Sequence, residues 1–154
     1  MSIKIEYQDL FLIESSYHLA HCISLDAAMG AGVAKQFVSR FPHLREQVRD
    51  CVCQHRLQVP QVVAVPYNLE GTDEVRWVFN LITKERYFQK PTLQTVEATL
   101  WQLKGFCESY GLQKIAMPQI ASGLDRLNWI EVLAVIERIF GSSSIEVLIC
   151  IKPD

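Results

Sequence analysis

Four stretches of the sequence combine residue types and positions suited to chemistry. Lys84 follows the apolar run Trp77 to Thr83. A lysine just past a strand end is ordinarily solvated. In a cleft, desolvation lowers the pKa of such an amine and lets it attack a carbonyl or glycosidic carbon. Its basic neighbours Arg86 and Lys90 leave a further role open, as one member of an anion-attracting rim. Ser122-Gly123-Leu124-Asp125-Arg126 also follows an apolar strand. Gly123 suits a backbone that wraps a ligand, and Asp125 suits a general base or a group that orients a sugar hydroxyl. Asp125 equally suits the N-cap of the helix after it, and the two roles are compatible because a carboxylate has two oxygens.

The third stretch is Met29-Gly30-Ala31-Gly32-Val33, between a strand and a helix. Glycine permits positive φ and close approach of a ligand to the backbone, and the helix start offers free N–H groups and the positive end of a dipole. Together these suit a diphosphate. A tight strand-to-helix turn with no ligand needs the same glycines, and the third glycine of a dinucleotide fingerprint is missing. The fourth is Asp9-Leu10, after the first strand, where a carboxylate suits either a turn cap or acceptance from an exocyclic amine such as that of adenine.

The histidines and cysteines carry no comparable pattern. His21 falls in a buried strand, where pairing to backbone is the ordinary expectation; His43 and His55 fall on a polar helix. Cys22 beside His21 cannot face it in a strand, since neighbouring side chains point to opposite faces. The five cysteines, Cys22, Cys51, Cys53, Cys107 and Cys150, are odd in number and lack zinc-ligand spacing. Free thiols in a reducing compartment and no metal are expected.

The elements that must position these residues follow from periodicity. Strands are expected at 3–6, 17–23, 60–66, 75–83, 114–120 and 145–151, and helices at 33–41, 43–56, from Thr92 or Thr95 to about Tyr110, and at 127–140. Gly111 suits the close of the third helix. Strands alternating with helices imply an α/β domain with a largely parallel sheet, made mixed by a hairpin around 68–74. In such sheets ligands bind beyond the carboxyl ends of the strands, which directs attention to the loops 24–32, 84–91 and 121–126. The chain has 154 residues, 49% of them hydrophobic, and a net charge of −2. That length fits one domain, 1–154, and that charge argues against diffuse electrostatic binding of nucleic acid. The charged N-terminus and the absence of a membrane-length apolar run lead to an intracellular expectation, cytoplasmic or, in a eukaryote, nuclear.

Motif order then narrows the reading. Tyr7-Gln8-Asp9-Leu10-Phe11, His21-Cys22-Ile23-Ser24 and Met29-Gly30-Ala31-Gly32-Val33-Ala34 resemble the opening of a macrodomain. Leu81-Ile82-Thr83-Lys84, Lys90-Pro91-Thr92, Met117-Pro118-Gln119-Ile120 and Ser122 through Trp129 continue it. The pattern resembles the terminal ADP-ribose protein glycohydrolase branch, also called the ALC1-like macrodomains, over nearly the whole chain. The resemblance implies a three-layer α/β/α fold with ADP-ribose across the strand ends. Asp9 and Leu10 would hold adenine, and Ser24 with Met29, Gly30, Ala31, Gly32 and Val33 the proximal ribose and diphosphate. Ala121, Ser122, Gly123 and Leu124 would close over the diphosphate and distal ribose, and Thr83 and Ile120 would also bind the ligand. It implies that Lys84 attacks the anomeric carbon of ADP-ribose esterified to glutamate or aspartate, and that Asp125 resolves the lysine adduct without metal or cofactor. The implied partners are ADP-ribose and mono-ADP-ribosylated proteins, with ADP-ribosylated nucleic acid a further candidate, for a monomer away from membranes. O-acetyl-ADP-ribose is a further substrate candidate. A non-catalytic ADP-ribose reader and an ADP-ribose-1″-phosphate phosphatase are the alternatives. One departure stands out: the family loop usually reads Gly-x-Gly before Leu-Asp, and here it reads Ala121-Ser122-Gly123. A methyl at the first position crowds the loop if its backbone needs positive φ.

Overall fold

The computed structural model describes residues 3–153. Valine, isoleucine and aromatic-rich runs form six strands: β1 (Ile3–Tyr7), β2 (His18–Ser24), β3 (Gln61–Asn68), β4 (Val75–Lys84), β5 (Lys114–Met117) and β6 (Glu146–Ile151). Four helices lie between them: α1 (Gly32–Arg40), α2 (Leu44–His55), α3 (Leu93–Tyr110) and α4 (Trp129–Phe140). The sheet order is β1-β6-β5-β2-β4-β3. Every pairing is parallel except β3 with β4, which form the expected hairpin.

Apolar alternation along the strands divides the core into two layers. Leu19, Ile23, Val63 and Val78 face α1 and α2, where Phe37, Leu44 and Val48 meet them. Ala20, Phe79, Leu81 and Ile115 face α3 and α4, with Leu100, Leu103, Val135 and Ile136 opposite. The sheet is mixed and largely parallel, as the periodicity implied, and the three-layer α/β/α arrangement is the one the resemblance implied.

The differences from expectation lie at element ends and have local causes. β5 stops at Met117 rather than Ile120, since Pro118 offers no N–H to continue a ladder. The fourth helix begins at Trp129 rather than at 127, because Asn128 caps it: its Oδ1 accepts from the N–H groups of Ile130 and Glu131 at 2.9 and 3.3 Å. The cap role open to Asp125 is therefore taken by another residue. Thr92 and Thr95 together begin α3 in a reciprocal box, and Gly111 closes it at φ 67°.

His21 is buried as expected, but its partner is a side chain. Its Nε2 lies 2.7 Å from Asn80 Oδ1, and Asn80 Nδ2 donates to the carbonyls of Val63 and Val78 at 3.0 and 3.2 Å. Two carbonyls fix the amide's orientation, so its oxygen faces the ring and Nε2 carries the proton. The ring stacks on Phe37 with centroids 3.8 Å apart. Burial depresses the His21 pKa to about 4, against a partial upward pull from Asn80. The folded state thus binds fewer protons than the unfolded chain between pH about 6.5 and about 4, and stability is lost as pH falls through that window. The loss is on the order of 3 kcal/mol. Urea midpoints taken from pH 7 to pH 4 should fall steadily in the wild type, and less steeply in His21→Gln, whose side chain does not titrate there. An equally steep fall in the variant would remove His21 as the cause.

Candidate active site

The carboxyl ends of β2, β4 and β5 open into a cleft of about 900 Å³, a size suited to a nucleotide-like ligand. Lys84 enters it from the end of β4 and Asp125 from the loop after β5. Lys84 Nζ lies 2.6 Å from Asp125 Oδ1, with each side chain 14% exposed. The β2–β4 register sets the lysine's position: Ile23 faces Ile82, but Ser24 faces Lys84, so Thr83 is one residue in excess. Such a bulge breaks strict face alternation and re-aims the residue beside it.

Asp26, which sequence reading passed over, ties the first two loops together. Its Oδ1 accepts from the Ser24 hydroxyl at 2.5 Å and the Ala28 N–H at 3.2 Å, and its Oδ2 accepts from the Tyr87 N–H at 3.1 Å. Burial works against its charge, yet these donors hold its carboxyl below the usual value. Two backbone bonds, Leu25 N–H to the Lys84 carbonyl at 2.8 Å and Asp26 N–H to the Glu85 carbonyl at 3.1 Å, finish the join. An aspartate two residues past a strand end, followed by small residues, is an Asx-turn pattern, and that was the available signal.

Met29, Gly30, Ala31, Gly32 and Val33 all line the cleft, as do Ser24, Ile120, Ala121, Gly123 and Leu124. The Ser24 hydroxyl, however, is spent on Asp26. Of the two loop glycines, only Gly32 has positive φ, at 60°, and a Cβ there would stand 3.0 Å from Leu124 Cδ1. Leu124, 73% exposed, thus reaches across to the start of α1. Ala27 and Met29 take the left-handed conformation themselves, at φ 50° and 46°.

Four residues named from sequence stand outside the lining. Asp9 caps the short 3-10 helix at Leu10–Leu12, accepting from the Phe11 N–H at 2.9 Å, and Leu10 is buried. Thr83 is buried with its carbonyl accepting from Thr95 Oγ1, and the Ser122 hydroxyl donates to the Ile120 carbonyl at 3.1 Å. Arg45 also lines the cleft, outside every loop the sequence pointed to, and so do Tyr87 and Phe88, which lie in loop 84–91 but carry no motif of their own. Tyr87 and Phe88 are exposed rim aromatics packed edge to face at 5.4 Å.

Cys22 also reaches the cleft wall. Burial pushes its thiol up to about 12, and the Asp125 carboxylate adds to the rise. It stays protonated near neutrality, so it offers no thiolate beside the Lys84–Asp125 pair.

The family profile described as Macro domain matches residues 21–136. The chain is 36% identical over 141 residues to human ADP-ribose glycohydrolase OARD1, covering 92% of this chain and 86% of that protein. It is 27% identical over 115 residues to a DNA ADP-ribosyl glycohydrolase of Thermus aquaticus, covering 74% of this chain and 31% of that protein. Among solved structures, the macrodomain of Thermus aquaticus DarG matches with a TM-score of 0.84 at 20% identity, over 99% of this chain and 98% of that one.

Ala121 stands at φ 59°, so the crowded case of the glycine departure holds. An L-residue there costs about 1–2 kcal/mol, while glycine gives back part of that through unfolded-chain entropy. Ala121→Gly should raise the melting temperature by ~2–4 °C, a net gain of about 1 kcal/mol. A variant melting below the wild type would show that the strain at this φ is smaller than the entropy glycine gives back and the methyl burial it loses.

Proposed function

The chain belongs to the Macro domain family, and from that premise we propose that it binds ADP-ribose in the cleft and hydrolyses its ester to glutamate and aspartate side chains, as a member of the terminal ADP-ribose protein glycohydrolase branch. One observation carries the reading: an amine and a carboxylate 2.6 Å apart, both largely withdrawn from water, at the strand ends of the cleft. The relative named ADP-ribose glycohydrolase supports the reaction class.

The chemistry follows from the pair. Asp125 takes a proton from Lys84, whose lone pair then attacks the anomeric carbon of the distal ribose. The bond from that carbon to the ester oxygen breaks, and the glutamate or aspartate leaves as a carboxylate. A good leaving group lowers the demand on the amine. Asp125, having passed the lysine's proton to solvent, draws a proton from water, the oxygen attacks the same carbon, the carbon–nitrogen bond breaks to release ADP-ribose, and the proton moves from Asp125 to the departing Lys84 amine. The backbone N–H groups at the start of α1 suit the diphosphate. Leu124, over Gly32, suits closure above it. Asp9 Oδ1 caps the 3-10 helix, and its Oδ2, which makes no hydrogen bond among the described residues, suits the adenine amine.

A second reading is hydrolysis of nucleic-acid-linked ADP-ribose. It rests on the Thermus aquaticus relative's name and on the rim pair Tyr87–Phe88 beside Lys84, since exposed aromatic rings stack on nucleobases.

With a glutamate-ADP-ribosylated protein as substrate, Lys84→Ala should abolish release while calorimetry still detects ADP-ribose binding. Asp125→Asn should slow turnover by about a hundredfold or more and accumulate a Lys84–ADP-ribose adduct visible by intact mass. Full turnover by Lys84→Ala would sink the lysine mechanism. Running the same assay on ADP-ribosylated single-stranded DNA separates the two readings.

A further inference from the structure

Three charged side chains line the cleft: Lys84, Asp125 and Arg45. Lys84 and Asp125 neutralise each other. Arg45 stands apart from them. It lies in the first turn of α2, half-buried, and its Nε–H donates to the Ala27 carbonyl at 3.2 Å. That bond fixes how the guanidinium enters the cleft. Among the described residues no carboxylate lies in ion-pair range of it, and its terminal nitrogens make no hydrogen bond to protein. The acid next to it in sequence, Glu46, is turned to His43 at 3.9 Å. The cleft's net charge thus rests on one oriented cation, stapled to the loop that runs from Ala27 to the start of α1.

A planar fork of N–H donors matches the oxygens of a phosphate, and prior orientation reduces what binding must order. We propose that Arg45 is an anion-binding residue of this cleft, pairing through its terminal nitrogens with a phosphate of the ligand. The proposal rests on the ADP-ribose reading, which supplies the diphosphate. It adds a side-chain cation to a subsite that is otherwise made of backbone N–H groups. The staple to Ala27, held at φ 50°, supplies the competing structural role.

Salt dependence separates the two roles, because a cation–phosphate contact is screened and a loop staple is not. ADP-ribose is titrated calorimetrically into wild type, Arg45→Gln and Arg45→Lys at low and at high salt. Arg45→Gln should bind about tenfold more weakly at low salt, the equivalent of ~1.4 kcal/mol, and the gap should close as salt rises. Arg45→Lys, which restores charge without the staple, should recover part of the loss. An Arg45→Gln protein with wild-type affinity, or a deficit that stays constant with salt, overturns the proposal. A wild-type protein that fails to bind ADP-ribose at all overturns the ligand reading instead.

Discussion

Strand polarity is the constraint from which the rest of this structure follows. Five of the six strands run parallel, so their carboxyl ends reach the same edge. β2, β4 and β5 are each followed by a connection that crosses that edge before a helix returns the chain. The loops after β2, β4 and β5 are thereby brought side by side whatever their sequences. What the sequence adds is how they are joined: Asp26 ties the first to the second, Lys84 and Asp125 tie the second to the third, and Leu124 leans from the third back onto Gly32 beyond the first. The macrodomain fold supplies the meeting place, and three side-chain contacts make it a site.

Much of the fold was legible because periodicity reports on packing. α4 shows Val132, Val135, Ile136 and Ile139 on one stripe, and all four are buried. Element ends were less legible, since they depend on single residues: Pro118 stops β5, and Asn128 displaces Asp125 as a cap. The candidate site was legible in part. Taken alone, Lys84 and Asp125 matched a solvated lysine and a helix cap, and their sequence separation of 41 residues hides a 2.6 Å contact. Motif order around them supplied what spacing could not. Asp26 and Arg45 left almost no trace, because what distinguishes them is a hydrogen bond to a distant backbone group. Arg45 in particular sits on a helix that reads as polar and solvated.

Backbone strain gathers at the same edge. Ala27, Met29, Gly32 and Ala121 all adopt positive φ around the cleft, and three of them carry a side chain in a conformation that costs free energy. The sheet beneath contributes the opposite: fully buried Leu19, Val78, Phe79 and Leu81 on adjacent strands, and the His21–Asn80–Phe37 cluster, which fixes a ring between sheet and helix. A rigid floor can support a conformationally costly rim, and a site whose backbone is already bent to its task has less to reorganise when a ligand arrives.

The position of the α4 cap has a consequence for how this domain can diversify. Had Asp125 both capped the helix and faced Lys84, any change of chemistry would have weakened the fold at the same stroke. With Asn128 holding the helix three residues downstream, the two duties are uncoupled. The residue that faces Lys84 is free to change while the scaffold that presents the loop stays intact.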